Sequence, residues 1–112
     1  MILSTQNDFA DFKADYTVFS TVLETDQYAN ERRVKSAEKS TIHTMWHPLT
    51  SEADIAEYGE SISSMLYCIL YNLHKNDIDY FDVITINDED YEVVKIKQFN
   101  THTRVDVQKR GV

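Results

Sequence analysis

Residues 65–71, Met65-Leu66-Tyr67-Cys68-Ile69-Leu70-Tyr71, decide the fold class. Both alternate faces of this run are apolar when the chain is extended, as in a strand covered on both sides within a barrel or sandwich. Seven residues fall far short of the ~20 that span a bilayer as a helix, so the run is read as the core strand and no membrane segment is expected. Upstream, Tyr16 to Leu23 (YTVFSTVL) is dense in β-branched and aromatic residues and predicts a strand. Thr41 to Trp46 alternates into the boundary set by Pro48. Downstream, Asp82 to Ile86 and Tyr91 to Phe99 flank Asn87-Asp88-Glu89-Asp90, whose residue types favour turns, and predict a hairpin. Thr103 to Gln108 alternates Val105 and Val107 with Arg104 and Asp106, a half-exposed closing strand.

The segments between are less regular. Residues 1–15, with Ile2, Leu3, Phe9 and Phe12 among polar residues, fit a short helix or a docked arm. Glu31 to Lys39 is charged except for a few positions and reads as a hairpin or exposed loop. Ser51 can cap a helix that has Asp54 in its first turn and Gly59 as a left-handed stop, which predicts one to two turns over 51–58. The expected architecture is mainly β: one domain over 1–112, with an N-terminal arm at 1–15 and a small barrel of about six strands over 16–112. The helix and its loop, 48–64, are inserted in that barrel. Its core should contain Val18, Val22, Ile42, Leu66, Cys68, Leu70, Ile84, Val94 and Ile96.

Composition narrows the chemistry. Nineteen acidic against 11 basic residues give a net charge of −8, opposite to the footprint of a chain that grips nucleic-acid phosphates. Two glycines and one proline leave no phosphate-cradling glycine loop and no flexible linker. A single cysteine, Cys68, excludes an internal disulfide and a cysteine zinc site; inside its apolar run it reads as a small hydrophobe. His43 and His47 stand four apart, but on a predicted strand and without the intervening glutamate of a zinc helix, so they are read as a partly exposed pair. His74 and His102 are read as surface residues. The seven carboxylates between Asp77 and Glu92 lack the central glycine of a calcium loop and are read as a solvated turn face. No catalytic residue, metal ligand or cofactor is assigned. The opening residues lack a basic stretch followed by an apolar one, so synthesis and retention inside a cell are expected.

From Thr41 onward the chain resembles the head-completion, or head–tail connector, proteins of long-tailed bacteriophages. The residues that carry the likeness are "HPLT" at 47–50, "SEADIAEYGES" at 51–61, "MLYCILY" at 65–71 and "DIDYFDVITINDEDYEVVKI" at 77–96. The resemblance implies a structural virion protein, made in the host cytoplasm and located in the neck. It would form a ring beneath the portal and adaptor proteins, twelve-fold in the particle and monomeric when free. That ring would close the filled capsid and receive the tail-completion or tail-terminator protein. DNA would pass through its channel without tight binding, and the inserted loop would be the stopper. Channel-facing candidates are then Pro48, Leu49, Thr50, Ser51, Glu52, Asp54, Glu57 and Glu60. The segment 48–64 is expected to be the least rigid part of the fold, and deletion of residues 50–60 is expected to leave the barrel folded but the capsids leaking DNA. Aromatic residues in excess of what so short a chain can bury mark subunit contacts, with Phe9, Phe12, Tyr28, Trp46, Tyr58 and Tyr80 as candidates.

Two other readings fit the same residues. A tail-completion or tail-terminator subunit has a similar size and strand count. A small acidic phage accessory module would bind a host factor through its charge, although the acids are spread along the chain: 11 in residues 1–60 and eight in the remainder.

Overall fold

A computed structural model describes residues 13–71 and 78–110. It contains seven strands: β1 Ala14–Thr25, β2 Glu31–Thr44, β3 His47–Pro48, β4 Met65–Tyr71, β5 Val83–Ile86, β6 Glu89–Gln98 and β7 His102–Lys109. One helix, α1, covers Glu52–Tyr58, and a 3-10 helix continues from Gly59 to Ser64. The strands form one antiparallel sheet in the order β2-β1-β5-β6-β7-β4-β3. The chain is mainly β, as the alternation predicts.

The predicted barrel is not closed. β1 pairs with β5 only at Val18↔Ile84 and Phe19↔Val83, then leaves it. At the other edge β3 is two residues long. The edges approach where Thr44 Oγ1 donates to the Ile69 carbonyl at 3.3 Å, but they share no ladder. A strand needs several paired residues to lock a seam, and neither edge offers them there. Pro48 is tolerated because β3 is an edge.

Glu31 to Lys39, expected as a loop, belongs to β2 and pairs with β1 along almost its whole length. Its charge does not prevent strand formation because cationic stems lie along apolar surface while their heads reach partners. Arg33 stacks on Phe81, Lys35 lies over Phe19, and Lys39 reaches Asp79 and Asp82. The turn between β1 and β2 is organised by Asp26, whose Oδ1 accepts the backbone N–H of Tyr28 at 2.8 Å and of Asn30 at 3.0 Å. Those two bonds, that of Asn30 first, hold the Asp26 carboxyl below its ordinary value.

β5 and β6 join through Asn87 and Asp88, with φ of 52° and 65°, the left-handed pair that a two-residue hairpin requires. The predicted turn was four residues, Asn87 to Asp90; it is two, so β6 begins at Glu89 while β5 ends at Ile86 as expected. Val18, Ile42, Leu66, Cys68, Leu70 and Ile84 are buried as expected, with Ile78, Val83, Ile86, Val93, Val105 and Val107. Ile96 packs against this core half-buried. Two expectations fail. Val22 is 45% exposed because the outer half of the β1–β2 hairpin projects beyond the sheet, in a molecule measuring 54 × 32 × 30 Å. Val94 falls at a bulge between Val93 and Lys95, so Val93 takes the inward place.

Candidate functional site

The inserted segment that follows β3 packs onto the sheet through a charge network. Ser51, extended at φ −75° and ψ 158°, caps α1 by accepting the Asp54 backbone N–H on its Oγ at 3.1 Å. Gly59, at φ 59°, supplies the left-handed end that a side chain would resist, and its N–H returns to the Ile55 carbonyl. This agrees with the expected helix over 51–58, shifted by one residue at its start. The 3-10 helix beyond Gly59 had no signal in the sequence that was used.

Asp54 lies on the inner face of α1 and is buried. Arg104 of β7 donates from Nη2 to Asp54 Oδ1 at 2.9 Å and from Nε to Asp106 Oδ1 at 2.7 Å, with its guanidinium 4.3 Å above the Tyr67 ring. Tyr58 donates its hydroxyl to Asp106 Oδ2 at 2.5 Å. Asp106 is fully buried, so both of its oxygens are satisfied by groups that the helix brings or braces. Burial is the largest single influence on the Arg104 guanidinium and works to lower it, but the bonds and charges of Asp106 and Asp54 together outweigh it and hold the group above its ordinary value. Burial, helped by the Asp106 charge, pushes the Tyr58 hydroxyl well above the usual tyrosine range. A second strap lies nearer solvent: Glu57 accepts Lys95 at 2.6 Å and Lys97 at 3.1 Å, and these bonds, that of Lys95 first, lower its carboxyl.

Several candidates from the sequence move. Leu49 and Asp54, expected to face a channel, are each 4% exposed. An apolar side chain gains from that burial, and the aspartate is drawn inward by Arg104. Glu57 is occupied by two lysines. Pro48, Thr50, Ser51, Glu52 and Glu60 are exposed. Trp46, expected at a subunit contact, is fully buried in an edge-to-face pair with Tyr16, rings 6.0 Å apart, and its Nε1 has no hydrogen-bond partner among the described residues. Its large ring area outweighs the orphan N–H in deciding where it sits. Tyr58 is half-buried and tied to Asp106, whereas Tyr28 at 76% exposure and Tyr80 at 49% stay outside. Phe9, Phe12 and His74 lie outside the described residues.

His43 donates from Nδ1 to Asp15 Oδ1 at 2.7 Å, His47 packs on Tyr67, and both line an open cavity of about 370 Å³ beside Thr44 and Leu70. The carboxylates of residues 79–92 are not a merely solvated face, Asp77 lying outside the described residues: Asp79 and Asp82 hold Lys39, Asp90 holds Lys35, Glu89 holds Lys109, and Asp82 is buried. Arg104 and Asp106 were missed as site residues. Alternation with the inward Val105 and Val107 turns Arg104 and Asp106 to the other face of the sheet, which only the packing of α1 buries, so the sequence carried no signal for them.

Among the described residues no helix is long and apolar enough to cross a membrane. No family model matches this chain, and no curated protein matches it. A solved structure does: the solution structure of protein SF1141 from Shigella flexneri 2a is similar with a TM-score of 0.58 at 8% identity, over 87% of this chain and 91% of that one. At that identity the likeness is one of fold.

Proposed function

We propose that this protein is a structural subunit without catalytic activity, a head-completion or head–tail connector protein that assembles as a ring in the virion neck. The single observation that carries this reading is the order and attachment of elements from β3 onward. An edge strand ending in Pro48 leads into a short, capped acidic helix laid on the sheet, then into the apolar core strand and a hairpin, in the order of the family that residues 47–96 resemble. The projecting β1–β2 hairpin adds support. It exposes Val22, Leu23 and Tyr28 far from the core and leaves β2 as an open sheet edge. Exposed apolar residues on a projection favour a contact in which one patch meets a different patch on the neighbour, the arrangement that closes rings.

The partners of such a ring are the portal and adaptor proteins on one side and a tail-completion or tail-terminator protein on the other. Quantitative mass spectrometry of particles produced from a genome that encodes the chain tests the reading. About a dozen copies per particle are expected for a cyclic neck ring. Absence from particles, or an isologous dimer as the assembled form, overturns it.

A further inference from the structure

Ten lysines and arginines lie among the described residues, and six of them have a carboxylate partner: Lys35, Lys39, Lys95, Lys97, Arg104 and Lys109. Of the four without one among the described residues, three gather in a single place. Arg32, Arg33 and Arg110 line an open groove of about 550 Å³ together with Lys35, Phe81 and Glu92. The groove is built rather than incidental. Arg110 donates from Nη2 to the Arg33 carbonyl, which binds the end of β7 to the projecting hairpin. The Arg33 guanidinium sits 4.4 Å over the Phe81 ring and donates to Thr21 Oγ1 at 3.3 Å. Phe81 itself is 46% exposed and is held at φ 71°, a conformation a bulky side chain seldom adopts, by donation of its N–H to the Val93 carbonyl at 3.0 Å.

Arginines without acids are unexpected in a chain of net charge −8. Guanidinium forks match oxyanions in geometry, and the cost of holding several cations together is relieved when an anion arrives. We propose that this groove is a subunit contact that receives the exposed carboxylates Glu52 and Glu60 of a second copy of this chain. The inference rests on the ring reading above. Two observations select that occupant. Glu52 and Glu60 are exposed and have no cation partner among the described residues; Glu24, Glu31, Glu38 and Asp88 share this, but the first three lie on the same hairpin as the groove and Asp88 stands alone in the β5–β6 turn. They are carried by a helical segment that Asp54 and Glu57 pin to the sheet, so they are presented in a fixed position. Groove and helix are different patches of one surface, so the contact is heterologous and compatible with ring closure. Phosphates of DNA fit less well, because Glu92 lines the groove and Asp90 holds Lys35 beside it.

The test is charge exchange in the full chain. Sedimentation velocity is run at low ionic strength, where charge pairing is least screened, on wild type, on R33E/R110E and on E52K/E60K. The second variant alters only exposed helix side chains, and circular dichroism verifies the fold of each. Each variant alone should weaken self-association by ~10-fold or more, and an equimolar mixture of the two should restore it, since each groove then meets a helix of opposite charge. If wild type associates and both variants associate equally well, the groove assignment fails while the ring reading stands. The complete ring is expected only on the particle, but a contact between copies still gives the free chain a weak association that grows with concentration; a wild type that shows none even at the highest concentration overturns the groove assignment, and particle stoichiometry decides the ring reading separately. Retention of a DNA duplex by wild type and its loss in R33E/R110E, with association unchanged, would give the groove to phosphates instead.

Discussion

Replacing Arg104 by methionine tests whether α1 is anchored by the buried network. Arg104 neutralises two carboxylates, and its side chain is 19% exposed against 6% for Asp54 and none for Asp106. Removing one partner of a buried ion pair leaves an uncompensated charge and typically costs ~3–5 kcal/mol. Methionine refills most of the stem volume, so the packing loss is small. The Tyr58 hydroxyl still covers one Asp106 oxygen, which places Arg104→Met near the lower end, ~3 kcal/mol. For a chain of this size ~1 kcal/mol corresponds to about 4 °C, so the melting temperature should fall by ~12 °C. Urea unfolding at pH 7, followed by both far-ultraviolet circular dichroism and Trp46 fluorescence, measures the loss. Arg104→Lys keeps the charge but not the fork and should fall between. A triple variant, R104M/D54N/D106N, should recover much of the loss because no buried charge remains. A change below ~0.5 kcal/mol for Arg104→Met, the range of ordinary surface substitutions, would refute the account. So would release of α1, seen by amide hydrogen exchange, with global stability unchanged.

The other predictions follow from single groups. Burial pushes the Cys68 thiol up to about 12, so a thiol-directed disulfide reagent at pH 8 should label the native protein only at the rate of unfolding; prompt labelling contradicts the assigned core. Burial and then Asp106 raise Tyr58, so its stabilisation is complete below the ordinary tyrosine value near pH 10 and is lost as pH rises beyond it; Tyr58→Phe should flatten that alkaline limb and remove one late-titrating tyrosine from the absorbance titration. Glu57 is lowered by Lys95 and Lys97, so its contribution is present above the ordinary glutamate value near 4.5 and disappears as pH falls; identical acid limbs for wild type and Glu57→Gln would contradict it. Leu70→Ala should cost ~2–5 kcal/mol at a fully packed site, whereas Val22→Ala on the projecting hairpin should cost well under ~1 kcal/mol.

Strand content was legible because alternation and β-branching are local signals. Met65–Tyr71, the β5–β6 hairpin and the Ser51 and Gly59 caps were readable for that reason. The positions that misled are those set by tertiary partners. Charge in Glu31–Lys39 reads as loop when the cation stems have nothing to lie on, and only the fold supplies Phe19, Phe81 and the Asp79–Asp82 turn. Closure of the sheet depends on whether two edges meet in register, which no one-dimensional pattern encodes. Trp46 and Asp106 exchanged their expected places for a related reason. An aromatic residue before His47 and Pro48 looks like a surface anchor until Tyr16 from β1 packs on it, and an acid in a half-exposed strand looks solvated until a helix some 50 residues away in sequence covers that face of the sheet.

That cover bears on how the inserted segment can act. A stopper that swings as a piece must break whatever ties it to the sheet. The Glu57 pairs with Lys95 and Lys97 lie toward solvent, where water and salt screen such pairs, and they open readily. The Arg104 bridge to Asp54 and the Tyr58 bond to Asp106 are of another kind, since they lie out of water and lifting α1 breaks both together and uncovers the face that they hold. Removing residues 50–60, expected to leave the barrel folded but leaky for DNA, carries an energetic cost: the deletion removes Asp54 and Tyr58 together and leaves Asp106 with Arg104 alone. A gate built on this segment moves with the sheet beneath it, or yields at its two ends around Thr50 and beyond Gly59 while the Arg104 anchor holds. Stapling α1 to β7 by paired cysteines at neighbouring exposed positions separates these cases. A connector whose segment must lift off the sheet loses DNA release when stapled, and one whose subunits tilt as rigid bodies does not.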